Sequence, residues 1–263
     1  MKYIQLTKTW MQRHLAYRGR VVIWAVVDIA SFFIFPFIWL AAYGDRQMIA
    51  GFSRADIVTY YIVLAFINIG FTSHIYSYFR QDIIQGELNK YLIRPLHYIA
   101  YQFIHEFSYR MIALLLAIFF LAAFIFGFRG WVVFPHSIIQ ACLFTVAIFC
   151  SLAISFLMQV IVGTATFWMG DNGALHQLRF LAEKVFSGEL APLVFFPAMF
   201  QTVAAFMPFQ YLMYFPTQIY LGRINGWETA VNFAIVLFWI LALSGAAWLM
   251  WKKGLRRYEG AGI

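Results

Sequence analysis

The chain has 263 residues, of which 63% are hydrophobic and only 11% are charged, with a formal net charge of +8. A soluble domain carries about a quarter charged residues, so this composition excludes a water-soluble globule and indicates an integral helical membrane protein. The basic residues cluster near the two ends, beside apolar segments, as the positive-inside rule predicts for cytoplasmic segments. We therefore attribute the charge to membrane topology and expect no nucleic-acid partner.

The first 20 residues contain five basic residues and no acidic one. On a helix, Ile4, Trp10 and Met11 would lie near one another, with basic side chains around them. This composition is typical of an amphipathic helix at the inner leaflet, in contact with membrane lipids. We predict an N-terminal interface helix over residues 1–20.

Five apolar segments are close to or above the length that crosses a hydrocarbon core of about 30 Å at 1.5 Å per residue. They cover residues 21–42, 57–78, 111–128, 137–168 and 230–251. Residues 164–188 are ambiguous. They form a fifth span with several polar residues, or the fourth span ends near Trp168 and MGDNG is a turn before a shorter fifth span. The prediction is an all-α polytopic membrane protein with six transmembrane helices and both termini cytoplasmic, in a single domain over residues 1–263.

The segment 188–222 is apolar but interrupted by turn-forming residues. It contains Gly188, Pro192, Pro197, Pro208 and Pro216. Prolines divide it into pieces too short to span, which indicates short helices in a re-entrant outer hairpin packed against protein. The alternative is an interfacial loop with aromatic anchors at Tyr211, Tyr214 and Tyr220.

Residues 80–95, here called the 80–95 segment, are a charged island between the second and third apolar segments. A helix over Asp82–Ile93 would place Ile84, Leu88, Tyr91 and Leu92 on one face, with Asp82, Gln85, Gly86, Asn89 and Lys90 away from it. Pro95 would end this helix and bias Arg94 away from helical geometry. Two interpretations are open: an ordinary interfacial helix lying on lipid, or a rigid element on which a cytoplasmic partner docks.

Charged residues within the predicted spans are costly and face protein or water. Asp28 lies in the first span, where structural pairing and a place along a transport path are both open. In the predicted fifth span His176, Arg179, Glu183 and Lys184 recur at three- to four-residue spacing, so Arg179 and Glu183 can pair on one face. That group either neutralises itself inside the bundle or lines a polar pathway.

Two blocks of sequence resemble the permease subunits of type-2 ABC exporters. The first is GELNKYLIRPL, Gly86–Leu96, and the other is FSGELAPLVFFPAMFQTVAAFMPFQYLMYFPTQIYLG, residues 186–222. The spacing of prolines and glycines in residues 186–222 resembles the branch whose two permease genes often sit beside one ATPase gene. The resemblance implies a six-span half-transporter with a coupling helix that docks on the ATPase, and outer re-entrant helices after span five.

By position, the resemblance assigns ATPase docking to the 80–95 segment. The residues concerned are Arg80, Asp82, Gln85, Gly86, Glu87, Leu88, Lys90, Tyr91, Arg94 and Pro95. The chain contains no P-loop motif, so ATP and Mg would be bound by separate ABC ATPase subunits, and this chain is expected to need no cofactor. No metal-ligand spacing and no catalytic constellation is found.

The resulting prediction is a non-enzymatic subunit of an ATP-driven exporter in a bacterial plasma membrane. It would pair with a second permease, identical or homologous, and move an unidentified substrate by alternating access. The alternatives are a membrane-embedded enzyme that modifies lipid or glycan, and a passive scaffold or channel.

Overall fold

The computed structural model describes residues 2–259, except for the side chains of residues 2, 20, 24, 25, 28–33 and 116. Most of this range is helical. The α-helices are α1 (Lys2–Ala16), α2 (Arg18–Tyr43), α3 (Arg54–Phe71), α4 (Tyr76–Ile84), α5 (Asn89–Leu92), α6 (Tyr98–Gly127), α7 (Ile138–Thr164), α8 (Thr166–Met169), α9 (Gly173–Phe186), α10 (Ala198–Phe206), α11 (Tyr214–Tyr220) and α12 (Gly226–Leu255). Short 3-10 helices cover Arg129–Trp131, Leu193–Phe195 and Pro208–Tyr211.

Four helical segments within the described residues are long and apolar enough to cross a membrane. They are Arg54–Ile84, which joins α3 and α4, then Tyr98–Gly127, Ile138–Met169 and Gly226–Leu255. The helix α2 has 26 residues and contains the predicted first span, although Asp28 and other central side chains lie outside the described set. An all-α membrane protein is therefore confirmed, whereas the count of six spans stays a prediction.

The predicted fifth span is a short helix. The fourth apolar segment ends with α8, and Gly170 adopts a positive φ of 65° in the turn before α9. Of the two alternatives for residues 164–188, this is the turn followed by a shorter helix. The 14 residues of α9 extend about 21 Å at 1.5 Å per residue, which is less than the hydrocarbon core of about 30 Å.

The helix α3 lies at the centre of the bundle and packs against α2, α6 and α7. Its start is defined by a capping box in which Ser53 and Asp56 exchange hydrogen bonds. A small antiparallel hairpin, β1 (Met48–Ile49) with β2 (Phe52–Ser53), precedes it. The buried Tyr43 hydroxyl donates to the Phe52 carbonyl over 2.8 Å, which joins the end of α2 to this hairpin.

The segment 188–222 folds back on the N-terminal halves of α3 and α7. The Tyr60 hydroxyl donates to the Gly188 carbonyl over 2.6 Å. Farther along, Ser151 of α7 donates to the Leu212 carbonyl over 2.6 Å. Gln140, near the start of α7, donates to the carbonyls of Ile219 and Tyr220. The segment is thus packed against protein, and its re-entrant position in a bilayer stays a prediction.

Most of the glycine and proline residues predicted to interrupt this segment lie between its helices, whereas Pro216 lies in the first turn of α11. Gly188 has a positive φ of 83°, which glycine adopts without steric cost. Pro197 precedes α10, and Pro208 begins a 3-10 helix, where its missing N–H costs no hydrogen bond. Pro192 and Pro216 are buried.

Candidate functional site

The 80–95 segment is two short helices joined by a turn, and the predicted continuous helix over Asp82–Ile93 is wrong. The helix α4 ends at Ile84 and α5 begins at Asn89. Gly86 between them has a φ of 71°, and the Leu88 N–H donates to the Asp82 carbonyl over 2.9 Å. Gly86 is therefore needed for the left-handed backbone of this turn, a role that helical periodicity does not reveal.

Because of this turn, some side chains of the 80–95 segment are buried or exposed contrary to the faces predicted for a continuous helix. Asp82, expected on the polar outer face, is buried, and its carboxylate accepts hydrogen bonds from Tyr98 (2.6 Å) and Gln102 (3.2 Å). Leu88 is fully buried as expected, but Leu92 is 45% exposed. Asp82 thus anchors the 80–95 segment to α6, because a buried carboxylate requires such partners.

The outer surface of the 80–95 segment mixes charged and apolar side chains. Ile93 is 85% exposed. Its exposed neighbours are Gln81, Gln85, Glu87, Asn89, Lys90, Leu92, Arg94 and Pro95. Glu87 and Lys90 form an ion pair. Tyr91 is half-buried, and its ring contacts those of Tyr98 and Tyr101. This end of the molecule therefore offers a polar surface with an apolar centre.

Two further elements support the same end of the bundle. Arg80 pairs with Asp171 over 3.1 Å, which connects α4 to the turn before α9. The Gly173 N–H and the Arg80 guanidinium hold the pKa of the Asp171 carboxyl below its usual range. The helix α1 packs on α6, with the Trp10 ring 4.2 Å from that of His105. Trp10 is half-buried in that contact, whereas Ile4 and Met11 are exposed.

A break in the helix of the second span lies within the bundle. Residues 72–75 are not helical, and side chains from α6 and α7 satisfy the backbone groups that the break releases. Ser155 accepts from the Ser73 N–H (2.9 Å), and Gln159 donates to the Ser73 carbonyl (2.8 Å). Glu106 accepts from the His74 N–H over 2.9 Å. Non-helical backbone at membrane depth requires such partners because lipid offers none.

Arg110 of α6 also stabilises this break. Its guanidinium pairs with Glu106 over 2.9 Å, donates to the Ile69 carbonyl over 3.1 Å, and contacts His74. Both members of the pair are almost fully buried. The sequence reasoning missed this group because it placed residues 80–110 outside the membrane. The available signal was the i, i+4 spacing of Glu106 and Arg110, which allows them to neutralise each other on one helix face.

A cavity of about 150 Å³ lies beside the break. Its lining comes from α3, the break, α7, α9 and the start of the 188–222 segment: Asn68, Thr72, Ser73, His74, Gln159, Arg179, Phe180, Glu183, Lys184 and Glu189. The predicted pairing of Arg179 with Glu183 is confirmed, and both are buried. Lys184 pairs with Glu189. His176 lies nearer the 80–95 segment, stacked on Tyr76 with ring centroids 3.9 Å apart.

The predicted functional residues thus occupy two places. The 80–95 segment forms one surface at the end of the bundle, and Arg179 and Glu183 line a polar cavity inside it. The side chain of Asp28 lies outside the described residues. Among the described residues, no group of three or more His, Cys, Asp or Glu side chains could hold a metal ion.

A family model described as "ABC-2 family transporter protein" matches residues 26–262, which is nearly the whole chain. No curated protein matches it.

Proposed function

The chain belongs to the ABC-2 family of transporter proteins, and from this premise we propose that it is the membrane subunit of an ATP-driven exporter whose ATPase docks on the 80–95 segment. The family is a membrane transport component of ABC systems, and the sequence has no P-loop motif. The chain is therefore not an enzyme by itself, and the family implies an ATPase partner.

The observation that carries the docking assignment is the geometry of the 80–95 segment. Asp82 and Leu88 fasten it to the bundle from inside, while Ile93 and charged neighbours remain exposed. The 80–95 segment can transmit force from an ATPase to the helix bundle only if it is rigidly attached to that bundle. The hydrogen bonds of Asp82 and the Arg80–Asp171 pair couple the segment to α6 and to the turn before α9.

The finer features follow from this assignment. Two permeases, identical or homologous, would pair around a central path in a bacterial plasma membrane, with both termini and the 80–95 segment cytoplasmic. Two ATPase subunits would bind the two segments, and their ATP-driven closure would rock the bundles and release substrate outward. The alternative of a lipid- or glycan-modifying enzyme has no supporting observation among the described side chains.

The test uses the chain reconstituted with its ATPase. Glu87→Ala removes an exposed ion pair worth about 0–1 kcal/mol, and Gly86→Leu places a side chain on a left-handed backbone at a cost of about 1–2 kcal/mol. We expect both variants to insert normally and to reduce ATP hydrolysis by the reconstituted complex at least severalfold.

The matched control for Gly86→Leu is Gly44→Leu. Gly44 also has a positive φ, 50°, and no atom would lie within 4 Å of an added Cβ. It follows α2, near the β-hairpin at the opposite end of the bundle. If Gly44→Leu lowers ATP hydrolysis as much as Gly86→Leu, or if both 80–95 variants act normally, the docking assignment is wrong.

A further inference from the structure

The cavity beside the helix break lies within the apolar part of the second span. At 1.5 Å per residue, Ser73 is about 28 Å along the helix from Arg54 and about 16 Å from Ile84. The cavity is therefore nearer to the end that carries the 80–95 segment. Its volume of about 150 Å³ equals about five water molecules at roughly 30 Å³ each. It is smaller than the roughly 300 Å³ at which pockets for whole drug-sized ligands begin.

The cavity is lined by buried polar groups whose hydrogen-bonding capacity is not fully used. The acceptors Glu183 and Glu189 are each already paired with a cation. Three buried side-chain atoms lack a partner among the described residues: Arg179 Nε, the Ser73 hydroxyl and Gln159 Oε1. Arg179 and Lys184 can donate five and three N–H groups respectively, so their carboxylate partners leave donors unused. Acceptor oxygens on a ligand would satisfy Arg179 Nε and the Ser73 hydroxyl, and a hydroxyl group on the same ligand would satisfy Gln159 Oε1, which is an acceptor.

The mouth of the cavity has cationic and apolar side chains. Phe180 is 39% exposed on α9. The Lys184 side chain is 33% exposed, with its Nζ 5.2 Å from the centre of the Phe180 ring. On its outward side α9 carries Leu178 and Leu181, which are 66% and 59% exposed. The polar interior therefore opens beside an apolar helix surface.

We propose that this cavity binds an oxyanion, a phosphate or carboxylate group, that forms the polar head of an amphiphile. The head contacts Arg179, Lys184 and Ser73, and the apolar tail lies outside along α9. Hydrogen bonds from cationic donors to an anion are about twice as strong as neutral ones. The small volume admits a head group and excludes the tail.

This inference rests on the proposed function only where it names the substrate class, an amphiphile with an anionic head. Binding itself requires neither the ATPase nor transport. A measurement of binding therefore separates a failure of this proposal from a failure of the docking assignment.

The experiment places the full chain in nanodiscs of phosphatidylcholine containing a minor fraction of phosphatidylglycerol, and native mass spectrometry counts retained lipid. We expect saturable retention of phosphatidylglycerol over phosphatidylcholine. We expect the double variants Lys184→Gln with Glu189→Gln, and Arg179→Gln with Glu183→Gln, to weaken it at least tenfold. Each double variant removes both charges of its pair, so no lone buried charge threatens folding.

The control is Lys252→Gln, since Lys252 lies 5.0 Å from the Trp248 ring centre much as Lys184 lies over Phe180. It should retain phosphatidylglycerol like the parent chain. If inorganic phosphate displaces phosphatidylglycerol, the site is supported and a free oxyanion can also occupy it. If phosphatidylglycerol is retained in the presence of inorganic phosphate, the site is assigned to the lipid head group. Equal retention of both lipids, or equal loss in Lys252→Gln, would overturn the proposal.

Discussion

The span made by α3 and α4 and the span made by α12 have nearly equal lengths, 31 and 30 residues, but opposite surroundings. In the most apolar 18-residue stretch of each, 78% of the residues are buried for the first and 11% for the second. The buried span contains the helix break, whereas α12 is one uninterrupted helix. The break in regular structure is thus found where protein surrounds the backbone and can satisfy it.

Membrane physics explains why burial and polarity coincide here. Lipid tails are as apolar as leucine, so apolar surface gains little by leaving them, and helices associate through close packing and hydrogen bonds. The span of α3 and α4 is held by Ser155, Gln159, Glu106 and Arg110. The helix α12 approaches α8 closely where Gly254 meets the Phe167 ring.

Removal of Arg110 should have the largest effect on stability. Arg110→Met leaves Glu106 buried without its cation, at a cost of about 3–5 kcal/mol. Thermal or denaturant unfolding of the purified chain in detergent measures this loss. Lys253→Met, an exposed change in the last turn of α12, should stay within about 0.5 kcal/mol. Equal losses in the two variants would show that the break is not held by this pair.

A smaller contrast comes from two glycines in long helices. A Cβ at Gly163 of α7 would lie 2.6 Å from the Phe79 Cβ of α4, whereas one at Gly245 of α12 would meet nothing within 4 Å. Gly163→Ala should therefore cost about 1–3 kcal/mol through overpacking. Gly245→Ala should be neutral or stabilise by up to about 1 kcal/mol, because alanine favours the helix. The same unfolding assay compares them, and tolerance of Gly163→Ala would contradict the close packing of α4 on α7.

Composition and apolar length were sufficient to predict most of the long helices. The predicted segments 137–168 and 230–251 agree closely with α7–α8 and α12. The start of α6 was missed by 13 residues, since Tyr98 rather than Met111 begins it. The charges of Glu106 and Arg110 made residues 98–110 resemble a polar loop in the sequence. In the structure the two residues neutralise each other and face protein.

The break could not be predicted because the side chains that stabilise it are far away in the sequence. The Gly86 turn could not be predicted because it depends on a backbone conformation that helical spacing does not reveal. Residues 72–75 are satisfied by groups on α6 and α7 that lie 32 to 86 positions away. The spacing of Arg179 and Glu183 did predict their pair, since both lie on one helix. The pairing of Lys184 with Glu189 crosses the end of α9, beyond the reach of helical spacing.

Ile93 offers the most direct test of the claim that an ABC ATPase docks on the 80–95 segment. Ile93→Asp introduces a charge at a position that is 85% exposed. The control is Ile138→Asp, at a position that is 83% exposed at the start of α7, on the end of the bundle away from the 80–95 segment. An acid at Ile138, the first residue of α7, is compatible with the helix N-terminus.

The measurement is the affinity of the purified ATPase for each variant in nanodiscs. The account predicts at least tenfold weaker binding to Ile93→Asp and unchanged binding to Ile138→Asp. Full binding to Ile93→Asp, or a loss confined to Ile138→Asp, would contradict it.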